Sequence, residues 1–203
     1  MELRKEKFFT SAKIAKTGIF SALSFVLYMF VKFPLPLFPS FLEFNFSDIP
    51  ALIGGFMLGP VYGGIIVLVK VIFKLPFSST ACVGELADLL IGWAFIIPAS
   101  IIYKKRRNIK GAVIGLVTGS ILSIIISILA NRFMLIPFYT LVMPFDAIVG
   151  MCRIVLPNIT TANFYNYYLF LAILPFNLLR CIIASLLTFL LYKKTSKLLS
   201  GIR

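Results

Sequence analysis

Histidine is absent from this sequence, and only seven of its 203 residues are Asp or Glu. Without histidine the chain lacks the commonest zinc ligand and the commonest general base. The three cysteines, Cys82, Cys152 and Cys181, have no metal-ligand spacing, and an odd number makes no disulfide framework. They read as small apolar residues. No Gly-x4-Gly-Lys-Ser/Thr segment occurs, so the chain has no phosphate loop for ATP. Any uphill work must therefore draw on an ion gradient or a partner. No nucleophile motif is present either, and no catalytic or metal residue is assigned.

What the chain has is apolar length. It is 60% hydrophobic with a mean hydropathy of +1.01, against roughly 45–50% apolar residues in a soluble domain. The excess lies in long runs, which predicts an all-α integral membrane protein with one domain over residues 1–203. The net charge of +13 could point to nucleic acid. That class is excluded because the charges sit at the ends of apolar runs and form no patch with interleaved aromatics. They suit cytoplasmic loops and anionic membrane lipid instead. The run Ile14–Val31 is longer than a typical signal core and no small-x-small cleavage site follows it, so it reads as a retained first helix.

Three basic clusters set the topology. They are Arg4, Lys5, Lys7, Lys13 and Lys16; Lys104, Lys105, Arg106, Arg107 and Lys110; and Lys193, Lys194, Lys197 and Arg203. Such clusters stay cytoplasmic, so an even number of crossings must separate them. Ile14–Val31, Leu86–Tyr103, Val113–Ile136 and Tyr167–Tyr192 each suit one crossing of roughly 30 Å. Read as one helix, Ile49–Leu75 would give five crossings and put the middle cluster outside. Gly59-Pro60 divides it, because the residue before proline avoids helical dihedrals. Asp48 is then expected to N-cap the second helix, with Pro50 in its first turn. The expectation is six helices, at about 14–31, 48–58, 61–75, 84–103, 111–136 and 165–192, with both termini cytoplasmic. The second and third are short, about 15–22 Å, and need shelter from neighbours or a thinned bilayer.

Lys32–Ser47, Pro76–Gly84 and Pro137–Asn166 then fall outside. The Pro-rich stretch Phe33–Pro39 reads either as a lid over an outward pocket or as a loop resting on headgroups. Ionisable residues within membrane helices are costly and tend to be functional. Glu85 and Asp88 share a face, as do Asn177 and Arg180, with Asn131 and Arg132 at the end of the fifth helix. By this topology all lie toward the outer half, while Lys70 and Lys74 are expected to snorkel to the outer interface. The convergence fits a small-molecule site, or a structural pair such as Arg180 with Asp88. Gly18 and Ala22 are four apart on the first helix, beside Thr17 and Ser21. Small residues so spaced admit a second helix closely, from a partner or from this chain.

Several segments together carry a resemblance. Phe46-Ser47-Asp48-Ile49-Pro50-Ala51-Leu52-Ile53-Gly54-Gly55 with Leu58-Gly59-Pro60 resembles the second-helix signature of S components of energy-coupling factor (ECF) vitamin transporters. The segments Gly84–Asp88, Asn131–Tyr139 and Pro175–Arg180 agree best with the riboflavin-binding members. The resemblance implies a subunit of the prokaryotic plasma membrane, with no enzymatic activity and no cofactor. It would capture riboflavin, with FMN an open second ligand, at the outer face. It would deliver it inward when docked on a module of one transmembrane coupling protein and two ATPases. Gly18 and Ala22 match the family's docking motif, Ala-xxx-Ala, with a glycine at the first position. Asn177-x-x-Arg180 stands where the family commonly has Asn-x-x-Lys, a change of geometry at constant charge.

A flat flavin with an imide edge and a hydroxylated tail needs apolar walls and a few oriented polar groups. Asn131 and Asn177 can both donate and accept, Asp88 and Glu85 accept, and Arg180 donates. Phe41, Leu42 and Phe44 of the first outer loop are expected to cover the ring, with Tyr139 beside Asn131. Rival readings are an S component for thiamin or pantothenate, a small membrane enzyme using Glu85 and Asp88, and a structural helper subunit. Thiamin, a cation, has little use for Arg180, and the enzyme lacks histidine and a metal cluster.

Overall fold

The computed structural model describes residues 10–199. Arg4, Lys5, Lys7 and Arg203 of the basic clusters lie outside the described residues, as do the side chains of Lys193, Lys194 and Lys197. Helix α1 spans Ser11–Phe30 and starts at Thr10, whose hydroxyl accepts from the Lys13 amide. Strands β1 (Lys32–Pro34) and β2 (Glu43–Asn45) pair antiparallel, with Phe33 opposite Phe44. This small hairpin is an addition to the expected all-α architecture. Helices α2 (Asp48–Leu58), α3 (Pro60–Lys74), α4 (Val83–Lys105) and α5 (Ile109–Ala130) follow. A π-helical segment, Asn131–Leu135, carries α5 into α6 (Ile136–Val142). After α7 (Phe145–Arg153), α8 (Phe164–Tyr167) passes through a second π segment, Tyr168–Ile173, into α9 (Leu174–Leu199).

Five helical stretches are long and apolar enough to cross a membrane: Ser11–Phe30, Pro60–Phe77, Val83–Lys105, Ile109–Val142 and Phe164–Leu191. Asp48–Leu58 is a shorter apolar helix. It is separated from α3 by Gly59, whose φ of 113° suits a residue without Cβ. Pro60 then opens α3, where its missing N–H costs nothing. α2 and α3 touch backbone to backbone: a Cβ on Gly63 would stand 2.9 Å from the Gly55 Cα. α4 and α5 are equally close, since a Cβ on Gly115 would lie 2.6 Å from the Ala99 carbonyl oxygen. Leu52, Ile66, Val67, Phe95, Ile96, Ala99 and Cys181 fill the core among these helices.

The stretch from residue 137 to 166, expected as an outer loop, is partly helical and builds a second apolar core. Ile136, Ile148, Val149, Cys152, Ile159, Phe164, Tyr168 and Ile173 pack together there. Helix α7 contributes through one face, Ile148 and Val149 with Cys152 one turn on. The fifth long helix accordingly runs to Val142, six residues past the expected end. The large apolar side chains left outward, such as Ile19, Leu23, Val117, Ile121 and Leu186, are those a lipid phase would cover.

Candidate functional site

Four charged residues from four helices meet inside the bundle. Asp48 opens α2, Lys70 lies in the last half of α3, Asp88 in the second turn of α4 and Arg180 in the second turn of α9. Arg180 donates through Nε to Asp48 Oδ2 at 3.0 Å and through Nη2 to Asp88 Oδ1 at 2.8 Å, and its Nη2 also stands in ion-pair contact with Asp48 Oδ2 at 2.7 Å. Lys70 Nζ stands 3.0 Å from both Asp48 Oδ1 and Asp88 Oδ2, the second contact being an ion pair without hydrogen-bond alignment. It also donates to Ser47 Oγ at 2.7 Å and lies 5.1 Å from the Tyr28 ring centre. The result is a closed square of two acids and two bases, each less than a tenth exposed. Buried charges persist only when so paired.

Above this square is a cavity of about 260 Å³, just below the roughly 300–1,000 Å³ usual for small-molecule sites. Asp88 and Arg180 form part of its floor. Its walls come from α1, α3, α4, the two π-containing helices and the hairpin. Those helices meet here by the ends remote from the Lys104–Lys110 turn, about twenty residues and roughly 30 Å along α4 and α5. Asn131 opens the first π segment, and Asn177 lies one turn past the second. Asn131 donates to its own helix at Ser127 O (2.8 Å) and accepts from the Tyr168 hydroxyl at 2.8 Å. Asn177 donates to Ile173 O at 3.0 Å. π-bulges free backbone groups and re-aim side chains, often at functional sites.

At the rim, Glu85 is buried among donors. Its Oε2 accepts from Ser78 Oγ at 2.6 Å and Thr80 Oγ1 at 3.0 Å, while Lys74 Nζ lies 3.6 Å from Oε1. The hairpin closes the other side. Phe41 and Leu42 line the cavity, and Phe41 packs 6.1 Å from Tyr168 and 6.5 Å from Tyr139, centre to centre.

Asn131, Asn177, Arg180, Asp88, Glu85, Phe41, Leu42 and Tyr139 thus surround one cavity. Phe44 does not join them. Successive strand residues face opposite ways, so Glu43 and Asn45 line the cavity while Phe44 packs on Phe33 and Phe46. Arg132 also stays apart, exposed and stacked 3.9 Å over the Tyr165 ring. Two expectations are corrected. Lys70 and Lys74 do not snorkel, because carboxylates within the bundle hold them. Asp48 is not a cap: Ser47 holds that position without a side-chain cap bond, and Asp48 turns inward to Lys70 and Arg180. Both corrections have one cause. A cation deep in an apolar run implies a buried acid partner, a signal that could have linked Lys70 to Asp48.

Gly18 and Ala22 are elsewhere. They lie in an outward groove of about 600 Å³ between α1 and α3. Thr17, Ser21 and Ser24 face the bundle, and Ser24 donates to Ser47 O at 2.9 Å. Among the described residues no cluster of Asp, Glu and Cys could hold a metal ion.

Residues 12–192 match the family described as the ECF transporter, substrate-specific component. The chain is 32% identical over 199 residues to riboflavin transporter RibU of Staphylococcus aureus, covering 98% of each chain. It is 30% identical over 131 residues to riboflavin transporter FmnP of Bacillus subtilis, 63% of this chain and 68% of that one. A solved structure described as the S component of a bacterial ECF transporter superposes with a TM-score of 0.72 at 33% identity. That match covers 93% of this chain and 97% of the other.

Proposed function

This chain belongs to the ECF transporter substrate-specific components, and from that premise we propose that it captures riboflavin and hands it to an energy-coupling module. It is a multi-pass protein of the bacterial cell membrane and not an enzyme. The observation that carries the ligand is the joining of two facts. The relative matched over 98% of this chain is named a riboflavin transporter, and the lining of the cavity suits a flavin. It offers aromatic and aliphatic walls (Phe41, Leu42, Tyr139) and a few fixed polar groups, namely Asn131, Asn177, Asp88 and Arg180. The flat ring would lie under Phe41, with its imide edge and ribityl hydroxyls on the polar groups.

The chain works as one membrane domain of six crossings, α2 being the short second one, with both termini and the Lys104–Lys110 turn cytoplasmic. The cavity then opens outward. The transmembrane coupling protein meets the α1 face at Gly18 and Ala22, and two ATPases drive the cycle. The energy must come from there, since the chain has no phosphate loop.

The experiment is a titration of the purified protein with riboflavin, followed by quenching of flavin fluorescence. Saturable quenching is expected; a protein that takes up no riboflavin would refute the reading. Cysteine chemistry tests the orientation. Cys82 is exposed beside the cavity mouth, whereas Cys152 is fully buried and burial pushes its thiol up to about 12. An impermeant maleimide on intact cells should label Cys82 and spare Cys152. A cysteine placed at position 108, on a background without native cysteines, should also be spared.

A further inference from the structure

Glu85 sits in a place that looks made for an anion. Ser78 Oγ accepts the backbone N–H groups of Thr80 at 3.2 Å and Cys82 at 2.9 Å, and Thr80 Oγ1 accepts that of Gly84 at 3.0 Å. Both hydroxyls accept from the backbone and turn their protons onto the Glu85 carboxylate. The Lys74 ammonium faces the other carboxylate oxygen. Two hydroxyls and an ammonium converging on one buried anion, at the wall of a ligand cavity, are the donor set that a phosphate group attracts. The protein has filled it with its own side chain.

The rest of the cavity holds no substitute. Its acids and the acids just beneath are Glu43, Asp48, Glu85 and Asp88; the cations beside them are Lys32, Lys70, Lys74 and Arg180. Each cation is within ion-pair distance of a carboxylate, and the eight charges sum to zero. A phosphate ester adds about −1.5 to −2 at neutral pH. No cation at this cavity, among the described residues, is left to receive it, and an uncompensated charge is costly away from water.

We propose that Glu85 is a built-in anion that occupies the donor cluster at the rim and thereby selects neutral riboflavin over its phosphate ester, FMN. The proposal rests on the flavin reading and adds a specificity-determining residue to it. Removing the charge frees Lys74 and both hydroxyls for a phosphate. Removing Lys74 instead leaves Glu85 in excess and repels one.

Riboflavin and FMN are titrated in parallel against the wild type, Glu85→Gln and Lys74→Gln. The wild type is expected to hold riboflavin at least about tenfold more tightly. Glu85→Gln should narrow that ratio about tenfold or more by gaining FMN affinity, and Lys74→Gln should widen it. Should Glu85→Gln fail to fold, Lys74→Gln decides: an unchanged ratio overturns the proposal. Equal wild-type affinity for both flavins, or parallel losses in Glu85→Gln, would overturn it and leave the flavin reading intact. A wild type that binds neither flavin removes both.

Discussion

The two hollows of this molecule are built on opposite plans. The cavity is the smaller, about 260 Å³, yet it gathers charged or amide side chains from the hairpin, α3, α4, α9 and the first π segment. The groove is larger, about 600 Å³, but it is lined by α1 and α3 alone and is almost wholly apolar. Size therefore does not decide which hollow suits a ligand. Many elements converging with fixed polar groups specify a small polar molecule, whereas a long apolar trough floored by small residues suits lipid or another helix. A Cβ added at Gly18 would meet nothing within 4 Å, and Ala22 is exposed. This pair does not pack inside the chain.

The sharpest way to break that contrast is to fill the groove. Gly18→Leu with Ala22→Leu puts two bulky side chains on a face that has room for them in the isolated subunit. Riboflavin affinity should stay within a few-fold, while ATP-driven uptake by vesicles holding the full complex should be abolished. Retained uptake would mean that the coupling protein docks elsewhere. Loss of binding and stability together would mean that α1 is sensed at the cavity.

The complementary break is in the charge square. Arg180→Met leaves Asp48 and Asp88 sharing Lys70 alone. Removing one partner of a buried pair costs about 3–5 kcal/mol, because the stranded charge stays buried. Thermal unfolding in detergent should drop sharply, and riboflavin binding should fall with it. Arg180→Lys should recover part of both, since it keeps the charge but loses the two-carboxylate reach. An unchanged unfolding temperature in Arg180→Met would show that the square is not structural.

The contrast also explains what could be read from residues alone. Apolar runs, basic clusters and Gly59-Pro60 outline the helices because each is a local signal of length, charge or dihedral. Asn131, Asn177, Asp88 and Arg180 stand out as polar residues in apolar surroundings. One side of the square, Arg180 with Asp88, is the structural pair expected from the residues, and it forms at 2.8 Å; the side that joins Asp48 to Arg180 across 132 positions is not legible, because pairing at such range leaves no periodic trace. Phe44 stands apart for a local reason: strand pairing turns Glu43 and Asn45 toward the cavity and packs Phe44, itself buried, on the opposite side, and a segment that reads as a loop carries no such alternation. The core formed by α6 to α9 was hidden because its helices are short and separated by turns.

The smallest expected effect probes how the cavity presents its polar groups. Asn131→Ala removes an amide while its surroundings stay buried, a loss of about 1–3 kcal/mol, or roughly 5- to 150-fold in riboflavin affinity. Two mechanisms give that number. Asn131 touches the flavin directly, or it holds the Tyr168 hydroxyl, which donates to its Oδ1 at 2.8 Å. Tyr168→Phe separates them, because it removes the hydroxyl and keeps the ring that packs against Phe41 and Phe164. If Asn131 contacts the ligand, Tyr168→Phe should cost only a few-fold and Asn131→Ala much more. If the amide acts through the tyrosine, the two single variants should lose equally and the double variant no more than either. Wild-type affinity in Asn131→Ala would take this residue out of the site and leave Asn177 and Arg180 to carry the polar recognition.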